Sequence, residues 1–119
     1  MKSLKKQVGG NHYKSLKIQP IEFAIDNNLS AVQLLAIRYL SRFRTKNKGE
    51  DLQKAMHILE IIEDKQPSLT ICNYKNTTAY CDQFSNRPEA GIIYYILQGD
   101  IGLAKLELSN IIDYLSEDL

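Results

Sequence analysis

An all-α fold is predicted, two packed helical hairpins with short connecting helices, and three observations predict it. Apolar residues recur three and four apart through 31–44, 50–64 and 101–116, which is the spacing of one helix face. Helix punctuation falls between those stretches, at Pro20, Ser30, Gly49, Pro88 and Asp100. The stretch 68–76 has some strand character in Leu69-Thr70-Ile71-Cys72, but an isolated strand has nothing to pair with, so an irregular link is expected there.

Residues 1–10 are Lys-rich around Gly9-Gly10 and read as a flexible N-terminal segment, with 11–119 as a single helical domain. Pro20 suits a first helical turn, where its missing N–H had no partner, and the short helix it opens should end at Asn27-Asn28. Ser30 can cap the next helix, whose Val32, Leu35, Ala36, Tyr39, Leu40 and Phe43 form a stripe that Leu34 and Ile37 widen. At 45–49 the chain should turn, with Gly49 in the left-handed conformation, before Glu50 and Asp51 start a helix running to about Asp64. The two helices make the first hairpin, within 11–66.

The second hairpin falls in 67–119. Pro67 ends the preceding pattern, and Thr77 or Thr78 can begin a short helix through Phe84. Asn86-Arg87-Pro88-Glu89 reads as a capping box, a capping residue followed three positions later by Glu, and predicts a helix over 87–97. Asp100 can cap the last helix, in which Leu103, Leu106, Ile111 and Leu115 are expected on the inner face.

With 119 residues, 44% of them hydrophobic, the chain can bury a core without metal or disulfide staples. An apolar face left over could take a second copy of the chain. No run reaches the roughly 18 to 20 apolar residues that span a bilayer, and MKSLKK leads into VGGNHYK rather than an apolar signal stretch, so a cytosolic, non-membrane protein is expected. Cys72 and Cys81 lack CxxC spacing and are read as reduced thiols, with no metal site predicted.

The net charge of +1 hides a division. Residues 1–48 carry ten Lys/Arg against Glu22 and Asp26, whereas 49–119 carry five against twelve Asp/Glu. Arg38 and Arg42, four apart, share a helix face, and Arg44, Lys46 and Lys48 carry the charge into the turn. Guanidinium groups grip phosphate oxygens in pairs and lysines add movable charge, so this region could hold a phosphate compound. The plain alternative is a solvated face paired with Glu50, Asp51 or the acidic half. His12-Tyr13 could donate to a phosphate or fasten the N-terminal segment, while Glu50, Lys54 and His57 form a polar stripe across the hairpin. Glu60, Glu63 and Asp64 could suggest a magnesium-binding face, but one acidic helix end shows no convergence and reads first as a solubilising surface. No GxxxxGK[ST], dinucleotide-binding glycine fingerprint, HExxH or GxSxG occurs.

An ordered set of motifs spans residues 11–62: His12-Tyr13, then Ile18-Gln19-Pro20-Ile21-Glu22-Phe23, then Arg38-Tyr39-Leu40-Ser41-Arg42 with Lys46-Asn47, then Glu50-Asp51-Leu52 with Lys54-Ala55. This set resembles the small phage and prophage family described as SaV-like or nucleotide-kinase-like. Arg38 stands where that pattern usually has Lys, and His57 near a usual aromatic. The resemblance implies a nucleotide- or phosphate-compound-binding protein of the host bacterium's cytoplasm. It extends to a P-loop-less deoxynucleoside monophosphate kinase, using Mg2+ if that activity holds. His12, Tyr13, Arg38, Arg42, Lys46, Lys54 and His57 would then be the phosphate contacts, with no catalytic residue assigned. The competing expectation is a non-enzymatic phage accessory protein that binds and inhibits a host protein. Nucleic acid ranks third, because the acidic half would repel a long phosphate backbone.

Overall fold

The computed structural model describes residue 3, residues 16–45 and residues 48–117. The expectation for the N-terminal segment 1–10 falls almost wholly outside them. The described chain is all-α: α1 (Pro20–Asn27), α2 (Ala31–Arg42), α3 (Lys48–Lys65), α4 (Tyr74–Cys81), a 3-10 turn (Asp82–Phe84), α5 (Pro88–Leu97) and α6 (Ile101–Glu117). No described helix is long and apolar enough to cross a membrane.

Local chemistry sets most boundaries. Pro20 opens α1, and Asn28 closes it in the left-handed conformation at φ 52°. Ser30 caps α2, its hydroxyl oxygen accepting from the Gln33 N–H at 3.3 Å. Gly49 differs from expectation. It lies inside α3, which starts at Lys48, so the position needs helical rather than left-handed backbone, and Gly99 is the described glycine with positive φ, at 79°.

Two further starts are corrected. α4 begins at Tyr74 rather than Thr77, because Asn73 supplies the cap, its side-chain oxygen accepting from the Asn76 N–H at 2.7 Å. α5 begins at Pro88 with Arg87 as its N-cap, while Asn86 takes φ 67° just before it. The expected capping box is absent, because Arg87 rather than Asn86 takes the N-cap position, and Glu89 instead meets Arg44.

Helix α2 packs on α1, α3 and α5, while α6 packs on α3 and α5, and α4 leans on α5. A core cluster runs through these contacts, including Leu40, Leu59, Ile92, Ile96 and Leu108, all at most 1% exposed. Phe23, Tyr80 and Phe84 stack in a row, with ring centroids 4.9 and 5.8 Å apart. The Tyr80 hydroxyl, buried among them, meets Ser41 Oγ at 2.8 Å. Cys72 and Cys81 are free and buried. Burial, then the neighbouring charge of Asp82, pushes the Cys81 thiol up to about 12, which keeps it protonated and unreactive near neutrality.

Gln33 is a polar residue inside the core. The stripe expected on α2 is rotated: Gln33, Ala36, Ile37 and Leu40 are fully turned inward, while Val32 and Leu34 are half-buried. The Gln33 amide nitrogen donates to the Thr70 and Ile96 carbonyls at 2.8 and 2.9 Å, and its oxygen accepts from the Thr70 N–H at 2.8 Å. One side chain thus supplies the donor and the acceptor that a neighbouring strand would have given Thr70. The 66–73 link therefore stays irregular while the peptide groups of Thr70 are satisfied, as buried peptide groups must be.

The inner face of α6 also departs from expectation. Ile101, Ala104 and Leu108 are buried and Ile111 and Leu115 pack against the core, whereas Leu103 is 47% and Leu106 57% exposed. Apolar residues occupy both sides of this helix, and its packing against α3 and α5 settles which side faces in.

Candidate functional site

The corner where α2 ends and α3 begins gathers the charged residues of the first half. Asp51, in the first turn of α3, is fully buried, and its two oxygens accept from Arg42 Nε and Nη2 at 3.2 and 3.3 Å. The position favours a carboxylate because the helix N-terminus carries partial positive charge. The bidentate grip fixes the Arg42 plane. One turn back on α2, Tyr39 lies beneath it, with the guanidinium carbon 5.1 Å from the ring centre.

Lys54 reaches the same ring from α3, its ammonium 5.7 Å from the centre. That ammonium also meets Glu50 at 3.1 Å, an exposed pair one turn apart. Pairs of this kind contribute about 0.3–0.5 kcal/mol, so Lys54 can exchange its partner at little cost. Arg42 cannot, because losing Arg42 leaves a carboxylate buried without its cation, which costs about 3–5 kcal/mol.

Arg44 joins distant parts of the chain. Its guanidinium grips Glu89 at the start of α5, with Nε and Nη2 donating at 2.6 and 2.9 Å, and stacks over Phe43 at 4.9 Å. Glu89 is almost wholly buried while Arg44 stays half-exposed. The hydrogen bond to Glu89 raises the pKa of Arg44 above its ordinary value, against the opposing effect of burial.

Of the residues singled out from sequence, the fold brings Arg42 and Lys54 together across Tyr39. Arg38 is exposed on α2 one turn before Arg42, and His57 is exposed on α3 three residues after Lys54. His12, Tyr13 and Lys46 lie outside the described residues. Sequence reasoning placed Tyr39 in the apolar stripe and did not foresee its role as a platform, although its place three residues before Arg42 puts the two on one face. The alternative of pairing with Glu50, Asp51 or the acidic half is what Lys54, Arg42 and Arg44 show, although no local signal singled out Glu89, 45 positions from Arg44.

The acidic end of α3 pairs rather than converges. Lys105 of α6 meets Glu63 at 2.6 Å, and that hydrogen bond, with the charges of Glu60 and Asp64 helping, raises the Lys105 pKa. Among the described residues, no three or more His, Cys, Asp and Glu side chains converge as a metal site would require.

Two hollows among the described residues bear on this corner. The larger, about 520 Å³, lies between Leu16–Ile18 and Ala79, Asp82 and Gln83, and no cation of the corner lines it. The other, about 390 Å³, lies where the end of α2 meets α5 and α6, with Phe43, Pro88, Ile111 and Leu115 supplying apolar surface and Arg44, Glu107, Asn110 and Tyr114 polar atoms.

No curated protein and no solved structure matches this chain. Residues 8–60, which include α1, α2 and most of α3 but not Glu89 or the second half, match the family model of DUF3310, described as a protein of unknown function.

Proposed function

We propose that this is a phage-type protein that binds a small phosphate compound, a nucleotide being the leading class, at the corner between α2 and α3. One observation carries the reading: two cations from different helices meet on the ring of Tyr39, one fixed by a buried carboxylate and the other held only by an exposed pair. Such a pair suits an anion that arrives and leaves. Arg42 gives a set direction of charge, and Lys54 turns from Glu50 to the incoming phosphate. Arg38 and His57 stand on the flanks as further contacts, and His12, Tyr13 and Lys46 join the proposed set on the sequence resemblance alone. The pairing of α2 with α3 and of α5 with α6 supports reading the scaffold as two packed helical hairpins in a single domain.

Transfer of a phosphoryl group to a deoxynucleoside monophosphate is the activity this reading extends to, with the cations offsetting charge on the moving group. Mg2+, where this activity uses it, would enter with the nucleotide substrate in this scheme. Calorimetric titration with deoxynucleoside monophosphates and triphosphates, with and without Mg2+, tests the site. Lys54→Met is the informative variant, because Arg42→Ala would also strand Asp51. Saturable binding weakened at least tenfold by Lys54→Met is expected, and no binding across the set rejects the site.

A second reading, a non-enzymatic accessory protein that engages a host protein, is favoured by a different observation. The second half exposes Leu103, Leu106 and Tyr114 on one helix, the last 66% exposed.

A further inference from the structure

The outward side of α6 combines apolar surface with charge that is in no ion pair among the described residues. Leu103, Leu106, Asn110 and Tyr114 succeed one another three, four and four residues apart, which aligns them in one stripe along the helix. Their exposure, 47% and 57% for the leucines and 66% for the tyrosine, is far above that of the inward Ala104 and Leu108, both at 0%. Glu107 and Asp113 flank the stripe, one on each side, and neither has an ion-pair partner among the described residues. Of the cations near this face, Lys105 is engaged by Glu63 and Arg44 by Glu89, while Arg87, next to Pro88 of the cleft, is exposed. Beside the stripe, Glu107, Asn110 and Tyr114 form one wall of the 390 Å³ cleft, opposite Phe43 and Pro88.

We propose that this face docks a basic amphipathic helix of a partner protein, its apolar row on Leu103, Leu106 and Tyr114 and its Lys or Arg side chains against Glu107 and Asp113. The proposal rests on the protein-binding reading and names the surface and the chemistry of the partner. Charge selects this occupant over a second copy of the chain. Twofold pairing of α6 with itself sets Glu107 and Asp113 against each other or against their own copies, and the one cation on α6, Lys105, is already held by Glu63. A basic helix meets the same carboxylates with opposite charge, places a cation within reach of the Tyr114 ring, and inserts one apolar side chain into the cleft. The other large apolar residues exposed among those described, Ile21, Ile25, Ile71 and Tyr74, have both acidic and basic neighbours in the chain, Glu22, Asp26 and Lys75, so charge selects no partner there.

The test is fluorescence anisotropy with a fluorescein-labelled synthetic helical peptide carrying Leu at i, i+3 and i+7 and Lys on the flanking positions, alongside the same peptide with Glu for Lys. Titrations use the wild-type chain, L103S/L106S and E107K/D113K. Saturable binding of the Lys peptide, weakened at least tenfold in each double variant and absent for the Glu peptide, is expected. Equal binding to all three proteins, or none to the wild type, overturns the proposal. A wild-type dimer in analytical ultracentrifugation that L103S/L106S dissociates assigns the face to a second copy and overturns it as well. A host protein captured equally by wild type and L103S/L106S refutes this face while leaving the protein-binding reading standing.

Discussion

The α2–α3 corner and the outer side of α6 handle charge in opposite ways. At the corner, Arg42 is met by buried Asp51, Arg44 just beyond it by buried Glu89, and Tyr39 supplies a ring face to two cations. On α6 the exposed leucines and the carboxylates Glu107 and Asp113 face solvent. A dense basic patch in a sequence is thus partly consumed by the fold itself, while a helix that looked like ordinary core keeps a second apolar side. The difference teaches that local charge density is a poor guide to what remains available for a partner; the guide is which charges the folded chain has left unpaired.

The largest effect expected comes from breaking the fixed part of the corner. Asp51→Ala leaves Arg42 without its buried counterion and should cost about 3–5 kcal/mol in urea denaturation, whereas replacing both residues by leucine should recover most of that loss. If Asp51→Ala costs less than about 1 kcal/mol, the corner is no more rigid than a surface pair and the contrast with α6 collapses.

A second pair of variants sharpens the other side of the comparison. Leu108→Ala removes a fully buried side chain and should cost about 2–5 kcal/mol, while Leu103→Ser and Leu106→Ser, on the same helix, should each stay within about 0.5 kcal/mol of the wild type. Similar losses for all three would mean that the outer leucines support the fold and are not held in reserve. The smallest effect separates the two parts of the corner itself. Lys54→Met should alter stability by no more than about 0.5 kcal/mol, although it should weaken phosphate-compound binding, and a larger loss of stability would make Lys54 as structural as Arg42.

How much of this was legible depends on how far each determinant reaches along the chain. Pro20, Asn28 and Ser30 act within a turn of where they stand, and the limits of α1 and the start of α2 follow from them. Glu89 obeys the local capping pattern in sequence, yet Arg87 takes the N-cap position and Glu89 meets a guanidinium 45 residues away. In α6, apolar residues at 101, 103, 104, 106 and 108 support two inner faces equally by spacing, and packing against α3 and α5 decides between them. Arg42 and Lys54 were legible as candidates because helical spacing places each on the hairpin. Their meeting on Tyr39 was not, since that depends on how the two helices are set side by side.

The clasp that Gln33 makes on Thr70 has a consequence for time and for length. Thr70 and Cys72 sit in chain that is neither helix nor strand, yet their N–H groups are held at 2.8 Å by Gln33 and at 2.9 Å by the Leu97 carbonyl. Their amide protons should therefore exchange with solvent at rates typical of a helix interior, while those of Ser68 and Ile71 follow the faster pace of open loops. The same two anchors make the link intolerant of extra length in one place. A residue inserted before Leu69 only lengthens a surface turn, whereas one inserted between Thr70 and Cys72 pulls the chain off one anchor or the other.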